Sequence, residues 1–174
     1  MNKWIPFTAV PIALAGSVTP GFANTYMSVE RAQQAIFPGE TFTRANVTLA
    51  LDQQKTIESR TQTHVRSREL KAWKVSGGGW FLVDEVIGKH EYITYAIGLT
   101  ATGAVKQIEI LDYRETYGYQ VEEPGWRQQF VGKTAQSPVK LDEDIRNVSG
   151  ATLSSKHITD GVRRLLATYN VALK

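Results

Sequence analysis

The stretch EYITYAIGL at residues 91–99 repeats with a period of two. Apolar or aromatic side chains recur at every second position, at Ile93, Tyr95, Ile97 and Leu99. Because successive side chains of a β-strand point to opposite faces, this period predicts a strand that turns one face toward a core. The neighbouring segments then decide which kind of sheet the strand joins.

Three neighbouring segments share a richness in Val, Ile, Tyr and Trp, and they are residues 65–75, 79–87 and 104–113. The four segments are separated by Gly77-Gly78-Gly79, by Gly88-Lys89 and by Thr102-Gly103. Short glycine-containing connections of this kind join antiparallel strands. We therefore predict an antiparallel meander over residues 65–113.

Helical patterns lie on both sides of the meander. Residues 28–36 predict a short helix that is capped by Ser28, and residues 48–60 predict a second helix. Residues 123–130 predict another short helix, with Pro124 in its first turn. These elements place helices before the sheet and directly after it.

The last helical pattern runs from about residue 155 to residue 169. Its apolar side chains fall on one face, and they are Ile158, Val162, Leu165, Leu166 and Tyr169. We predict the α+β class, in which an antiparallel sheet is flanked by N-terminal helices and by a C-terminal helix that follows the sequence SGAT.

The first 23 residues have the pattern of a secretory signal peptide. Lys3 supplies a charged start, residues 4–18 are mostly apolar, and Gly21-Phe22-Ala23 offers small residues at a cleavage site. A membrane anchor is the alternative, but prolines interrupt the segment, which falls short of about 20 apolar residues. We expect cleavage after Ala23, a periplasmic product, and one domain with an N-terminal helical extension over residues 24–174.

The composition excludes several kinds of site. The chain has no cysteine, which excludes disulfides, iron–sulfur clusters, thiolate zinc sites and c-type haem. His64 and His157 have no partner at ligand spacing, so we predict no metal site. Loss of Lys3 would leave 19 Lys and Arg against 17 Asp and Glu, an excess too small to predict binding to nucleic acid.

Residues 144–155, DIRNVSGATLSS, form the most informative segment for function. Gly150 and Ala151 are small, and they precede Thr152, directly behind which the last helix is predicted to start. Such a junction presents a threonine hydroxyl beside the N–H groups of a helix N-terminus, which favour a phosphate. The alternative is a loop followed by a capped helix. We favour capping as the role of Ser154 and Ser155.

The sequence SGATLSS, with Gly161 and Val162 in the helix behind it, resembles the flavinylation motif of the FMN-binding domain family. That family includes the C subunit of the sodium-translocating NADH:quinone oxidoreductase and the G subunit of the Rnf complex. The similarity covers roughly residues 78–168. It includes Gly88-Lys89-His90, residues 113–118 (YRETYG) and residues 129–133 (QFVGK).

The resemblance implies that Thr152 carries covalent FMN through a phosphoester bond, within a loop formed with Ser149, Gly150 and Ala151. One position departs from the family pattern. The family usually has an acidic residue three positions before the serine of SGAT, and this chain has Arg146 there. An acidic group lies just upstream, at residues 142–144.

Further cofactor-binding candidates lie in the other similar segments. Lys133 is a candidate partner for the phosphate or for a reduced flavin, and a solvated lysine after a helix end is the alternative. Glu115-Thr116-Tyr117 occupies the place of a family loop beside the flavin, where a tyrosine can stack on the ring system or fill a sheet edge. His90 is predicted to begin a strand and either to contact the flavin or to be structural.

These observations predict an exported FMN-bearing electron-transfer protein, a module rather than a stand-alone enzyme. A threonine hydroxyl is a poor nucleophile unaided, so a flavin transferase with FAD as donor is an expected partner, as the resemblance implies. Membrane or periplasmic electron-transfer proteins are the other expected partners. Two alternatives stay open: a periplasmic reductase subunit that acts on a terminal acceptor, and a non-redox binding module without flavin.

Overall fold

The computed structural model describes residues 27–174, so the predicted signal peptide and its cleavage site lie outside the described residues. The strands are β1 (Phe42–Thr48), β2 (Glu69–Val75), β3 (Trp80–Ile87), β4 (Tyr92–Leu99) and β5 (Val105–Tyr113). The α-helices are α1 (Val29–Ile36), α2 (Leu51–Thr61), α3 (Pro124–Arg127) and α4 (Thr152–Thr168). Short 3-10 turns flank α3, and a π-helical turn at Tyr169–Leu173 continues α4.

The five strands form one antiparallel sheet in the order β1-β2-β3-β4-β5. This meander with helices before and after it confirms the predicted α+β class. Strand β1 was not predicted, and Thr48, which we expected to start a helix, instead ends β1 opposite Glu69. The inward residues Phe42, Ala45 and Val47 of β1 are only half buried, which weakens the alternation that marks a strand.

The two faces of the sheet bury different helices. The face under α4 includes Leu82, Tyr95, Ile97 and Ile108, and the face under α1 includes Phe81, Val83, Ala96 and Leu111. The predicted apolar face of the last helix is confirmed, because all five of its residues are at most 5% exposed. Ser28 also caps α1 as predicted, since its hydroxyl accepts a hydrogen bond from Arg31 N at 3.2 Å.

Helix α4 lies very close to the sheet where Gly161 crosses Tyr95. A Cβ atom at Gly161 would overlap the Tyr95 hydroxyl and a methyl group of Val86. The Tyr95 hydroxyl donates to Asp84 at 3.0 Å, and the same carboxylate oxygen accepts from Arg164 on α4. Tyr95 and Arg164 are buried, so this polar group ties the helix to the sheet inside the core.

Several element boundaries differ from the sequence prediction. Strand β2 begins at Glu69 rather than at residue 65, and α4 begins at Thr152 rather than at residue 155. Ser154 and Ser155 are therefore buried inside the first turn of α4, and the capping role that we predicted for them is wrong. Trp126 and Phe130 are buried against each other edge to face, as expected of core residues.

None of the helices in residues 27–174 has the length and apolar character that a membrane span requires.

We expect Leu165→Ala to lower the free energy of unfolding by about 2–5 kcal/mol, because Leu165 is 4% exposed on the buried face of α4 and truncation leaves a cavity. Chemical denaturation of the purified protein measures this change. Leu51→Ala is the matched control, because Leu51 is 63% exposed, and it should change the stability by no more than about 0.5 kcal/mol. Equal effects of the two substitutions would contradict the assigned packing of α4.

Candidate functional site

A cleft of about 420 Å³ lies where the N-terminus of α4 meets two loops of the sheet. One loop is the β3–β4 turn, and the other follows β5. The residues that line the cleft are Lys89, His90, Glu115, Thr116, Tyr117, Gly150, Ala151, Thr152, Leu153 and Ser154. Its size is in the range of sites that hold small ligands.

Thr152 is the first residue of α4 and its side chain is exposed. A turn closed by Ala151 N donating to Val148 O at 3.0 Å precedes it, with Gly150 at a φ of +82°. Ala151 occupies the N-cap position, so no side chain of the described residues caps α4. The N–H groups of the first turn and the dipole of a 17-residue helix thus favour an anion beside the Thr152 hydroxyl.

Glu115 holds the β3–β4 turn in place. Its Oε1 atom accepts hydrogen bonds from His90 N at 2.6 Å and from Glu91 N at 3.0 Å. Burial alone would raise the pKa of Glu115, but the backbone N–H groups of the turn outweigh it and lower the pKa. The carboxylate is therefore directed at the turn, and it fixes one wall of the cleft.

Tyr113 joins the other wall to helix α4. Its hydroxyl donates to Tyr117 O at 2.6 Å and lies 3.3 Å from Ser154 Oγ in the first turn of the helix. Burial raises the pKa of Tyr113, so the hydroxyl keeps its proton and remains a donor. Beside it, Gly118 has a φ of +90°, and a Cβ there would overlap Ala151 and the Tyr113 hydroxyl.

The rim of the cleft combines a cation with exposed apolar groups. Lys89 and His90 are exposed in the β3–β4 turn, so His90 precedes β4 rather than beginning it as we predicted. The Tyr117 ring is 78% exposed and Leu153 is 43% exposed. Such a rim offers a positive charge for a phosphate and an aromatic face for a flat ring system.

The structure gathers most of the predicted cofactor-binding residues in this cleft, namely His90, Glu115, Thr116, Tyr117, Gly150, Ala151 and Thr152. Ser149 precedes them in the turn and is exposed. Lys133 lies outside the lining and contacts Asp144 at 2.7 Å, so its predicted role toward the phosphate stays a prediction. Lys89 belongs to the motif Gly88-Lys89-His90, which the sequence analysis identified, but we did not predict it to be a cofactor-binding residue.

Two contributions to the site had no signal in the sequence. Asn147 Oδ1 accepts a hydrogen bond from Ser155 Oγ at 2.9 Å, and Asn147 Nδ2 lies 3.5 Å from Thr152 Oγ1. The Tyr113 contact with Ser154 is the other contribution. The Tyr113 contact joins residues 41 apart in the chain, and the Asn147 contacts depend on the turn conformation before α4, so neither could be predicted from a residue pattern.

Across residues 27–174, no group of three or more His, Asp or Glu side chains is arranged to hold a metal ion. The His157 ring instead lies with Nδ1 2.6 Å from Ile87 O, outside the cleft.

The cleft combines an uncapped helix N-terminus, an exposed hydroxyl, a lysine and an exposed tyrosine, which are features that favour a phosphate and a flat ring system. Residues 88–167 match the FMN-binding domain family. This match confirms, for this part of the chain, the resemblance to FMN-binding domains that the sequence predicted. The matched residues run from the β3–β4 turn to near the end of α4, so they include every residue that lines the cleft.

The chain is also similar to the G subunit of the Na(+)-translocating ferredoxin:NAD(+) oxidoreductase complex of Acetobacterium woodii. The two are 30% identical over 81 residues, which cover 41% of this chain and 39% of the relative. The chain thus matches about two fifths of the length of this curated relative.

The residues of the cleft fit FMN. The phosphate matches the uncapped first turn of α4 and the Lys89 ammonium, because both favour negative charge. The Tyr117 ring and Leu153 offer exposed apolar area to the flavin rings, which would otherwise face water. Thr152 lines the same cleft, at the first position of the helix and next to Leu153.

We expect Glu115→Gln to lower the free energy of unfolding by about 1 kcal/mol at neutral pH, because charged hydrogen bonds to the turn become neutral ones. The folded-state pKa of Glu115 is below its ordinary value of 4.5, so the ionised carboxylate stabilises the fold above that value. The difference between the two proteins should shrink as the pH falls through the folded-state pKa. Denaturation across pH measures it.

Glu91→Gln is the matched control for that prediction. Glu91 lies in the same turn and is exposed, and the turn uses its backbone N–H rather than its carboxylate. This variant should match the wild type at every pH. A pH-independent loss in Glu115→Gln would show that the carboxylate charge does not hold the turn.

Proposed function

We propose that the protein is an exported FMN-bearing electron-transfer protein in which Thr152 carries the flavin through a phosphoester bond. The observation that supports this most directly is the position of Thr152, an exposed hydroxyl at the first residue of an uncapped helix. A phosphate esterified there would meet the N–H groups and the dipole of α4. The match of residues 88–167 to the FMN-binding domain family supports the identity of the group.

The bound flavin would supply the redox chemistry, and the protein would supply position and charge. Lys89 offsets the charge of the phosphate, and Tyr117 provides an aromatic contact at the rim. Glu115 holds the β3–β4 turn, which keeps Lys89 and His90 beside the helix N-terminus. Tyr113 holds the Tyr117 backbone against the first turn of α4, so the walls of the cleft are preorganised.

The partners are proposed from the same observations. The relative from Acetobacterium woodii is a subunit of a ferredoxin:NAD(+) oxidoreductase complex, which favours membrane electron-transfer proteins as donors or acceptors. A flavin transferase that uses FAD is needed, since no base is hydrogen-bonded to the Thr152 hydroxyl within the described residues. The high exposure of Tyr117 suits electron exchange by direct contact with such partners.

Two other functions remain as alternatives with distinct outcomes. A periplasmic reductase subunit would show steady-state turnover when it is mixed with an isolated terminal acceptor. A non-redox binding module would purify colourless even after co-expression with an active flavin transferase.

We expect Thr152→Ala to abolish covalent flavin, because it removes the oxygen that forms the ester. Protein co-expressed with a flavin transferase should fluoresce on a denaturing gel in the wild type and not in this variant, which should remain folded by circular dichroism. Thr152→Ser should be partly labelled. Ser149→Ala is the matched control, since Ser149 is exposed in the same turn, and it should label like the wild type.

Each outcome of that experiment identifies a different acceptor. Fluorescence that persists in Thr152→Ala but is lost in Ser149→Ala would make Ser149 the acceptor. A wild type without flavin beside an active transferase would favour the non-redox module.

A separate prediction concerns export of the protein and the residue at which the mature chain starts. If residues 1–23 act as a signal peptide, the protein produced in a bacterial host should have Asn24 as its first residue and should be recovered from the periplasm. Intact mass spectrometry of the purified protein measures the start of the chain. An intact Met1 in the membrane fraction would support an anchor instead.

A further inference from the structure

The acidic position of the flavinylation motif is occupied here by a residue that is held away from the acceptor. Arg146 N donates to Gln129 Oε1 at 2.8 Å, and Arg146 Nε lies 3.4 Å from the same oxygen. Arg146 O accepts from the Trp126 indole at 2.8 Å. Residue 146 is therefore fixed to the α3 region on both sides of its backbone.

The nearest upstream acid does not replace it. The carboxylate of Asp144 accepts from Lys133 Nζ at 2.7 Å, from Lys140 N at 2.8 Å and from Val139 N at 3.2 Å. Burial alone would raise the pKa of Asp144, but these donors outweigh it and lower the pKa. Asp144 is thus an ionised carboxylate whose hydrogen-bonding capacity is used to close its own loop.

Asn147 is the side chain that contacts the acceptor. Its Oδ1 atom accepts from Ser155 Oγ at 2.9 Å, and Ser155 is fully buried one turn into α4. The same carboxamide carries Nδ2, which lies 3.5 Å from Thr152 Oγ1, at the long limit of a hydrogen bond. The Ser155 hydroxyl, which also lies 3.0 Å from Ala151 O and 3.2 Å from Thr152 O, contacts one end of the carboxamide, and the other end lies against the Thr152 hydroxyl.

Building on the proposed function, we propose that Asn147 is the positioning residue for flavinylation of this chain, in place of the acidic residue of the family motif. In the reaction, Thr152 Oγ1 forms a bond to the phosphorus of the FMN half of FAD. The phosphoanhydride bond to AMP breaks, AMP leaves, and the hydroxyl proton passes to solvent. Nothing is oxidised or reduced in this step.

A neutral hydrogen-bond donor at residue 147 suits the Thr152 oxygen both before and after the transfer. Before the transfer, a hydrogen bond from Asn147 Nδ2 uses one lone pair of Thr152 Oγ1 and leaves the O–H proton free to depart. After the transfer, the ester oxygen has no proton and only accepts, so the same N–H remains a matching partner. A carboxylate at residue 147 would lack this donor and would repel the phosphate, because like charges close together raise the energy.

The test compares the rate of flavin transfer to the wild type with the rates for Asn147→Ala, Asn147→Asp and Arg146→Ala. A purified flavin transferase supplies the flavin from FAD, and the labelled protein is measured by gel fluorescence and by mass spectrometry. Asn147→Ala should lower kcat about tenfold at unchanged KM for the acceptor protein, since misplacement of the hydroxyl slows the step. Asn147→Asp, which has nearly the same shape, should be slowed at least as much. Arg146→Ala is the matched control and should stay within about twofold of the wild type.

A second measurement does not depend on the transferase. Three-bond couplings of Thr152 in the protein without flavin should report one χ1 rotamer in the wild type and averaged rotamers in both Asn147 variants, with thermal unfolding to establish that each variant is folded. If either Asn147 variant fails to fold, the other variant alone is compared with the wild type.

The outcomes separate this inference from the proposed function. Equal kcat values and one Thr152 rotamer in the wild type and the Asn147 variants would overturn the positioning role while Thr152 remains the acceptor. A loss of kcat in Arg146→Ala as large as in Asn147→Ala would also overturn it. A wild type without label on Thr152 would overturn the proposed attachment, and the positioning role with it.

Discussion

The close approach of helix α4 to the sheet is the constraint on which the rest of the structure depends. Gly161 allows the helix backbone to lie against the Tyr95 hydroxyl, and Arg164 binds Asp84 one turn later. Replacement of one member of this buried polar group would leave the others unsatisfied, which is costly inside a core. The helix therefore has one depth and one rotation on the sheet. Since Thr152 is its first residue, the same contacts determine where the hydroxyl and the first N–H groups lie relative to the loops.

The loops that complete the cleft are fixed by polar contacts rather than by apolar burial. Glu115 binds backbone N–H groups of the β3–β4 turn, and Tyr113 binds the Tyr117 carbonyl and lies against the start of α4. Both residues come from the end of β5, so one strand end organises two walls. The side chains of Tyr117 and Leu153 are therefore exposed, while the backbone beside them is held by these hydrogen bonds. A rim of exposed apolar groups on a rigid base is suited to contact with a flat ring and with a second protein.

The sequence predicted the central part of the fold because large apolar side chains recur there at regular spacing. Ile93, Tyr95 and Ile97 alternate on a strand that is covered on both faces, and α4 repeats its apolar residues at helical spacing. Strand β1 was not predicted because it is an edge strand with half-buried inward residues.

The motif around Thr152 located the site, but the contact of Glu115 with the turn and that of Asn147 with Ser155 depend on tertiary placement. The contact of Lys133 with Asp144 likewise depends on the fold, and the role of Lys133 toward the phosphate stays a prediction.

The contact between Gly118 and Ala151 has a consequence for how this domain tolerates sequence change. Gly118 comes from the loop after β5 and Ala151 from the helix N-cap, and a methyl group on the first would overlap the second as well as the Tyr113 hydroxyl. These three positions therefore form one steric unit, although Ala151 is separated from the other two by more than 30 residues along the chain. Substitution at any one of them is constrained by the other two, so in divergent chains with this cleft they should vary together or not at all.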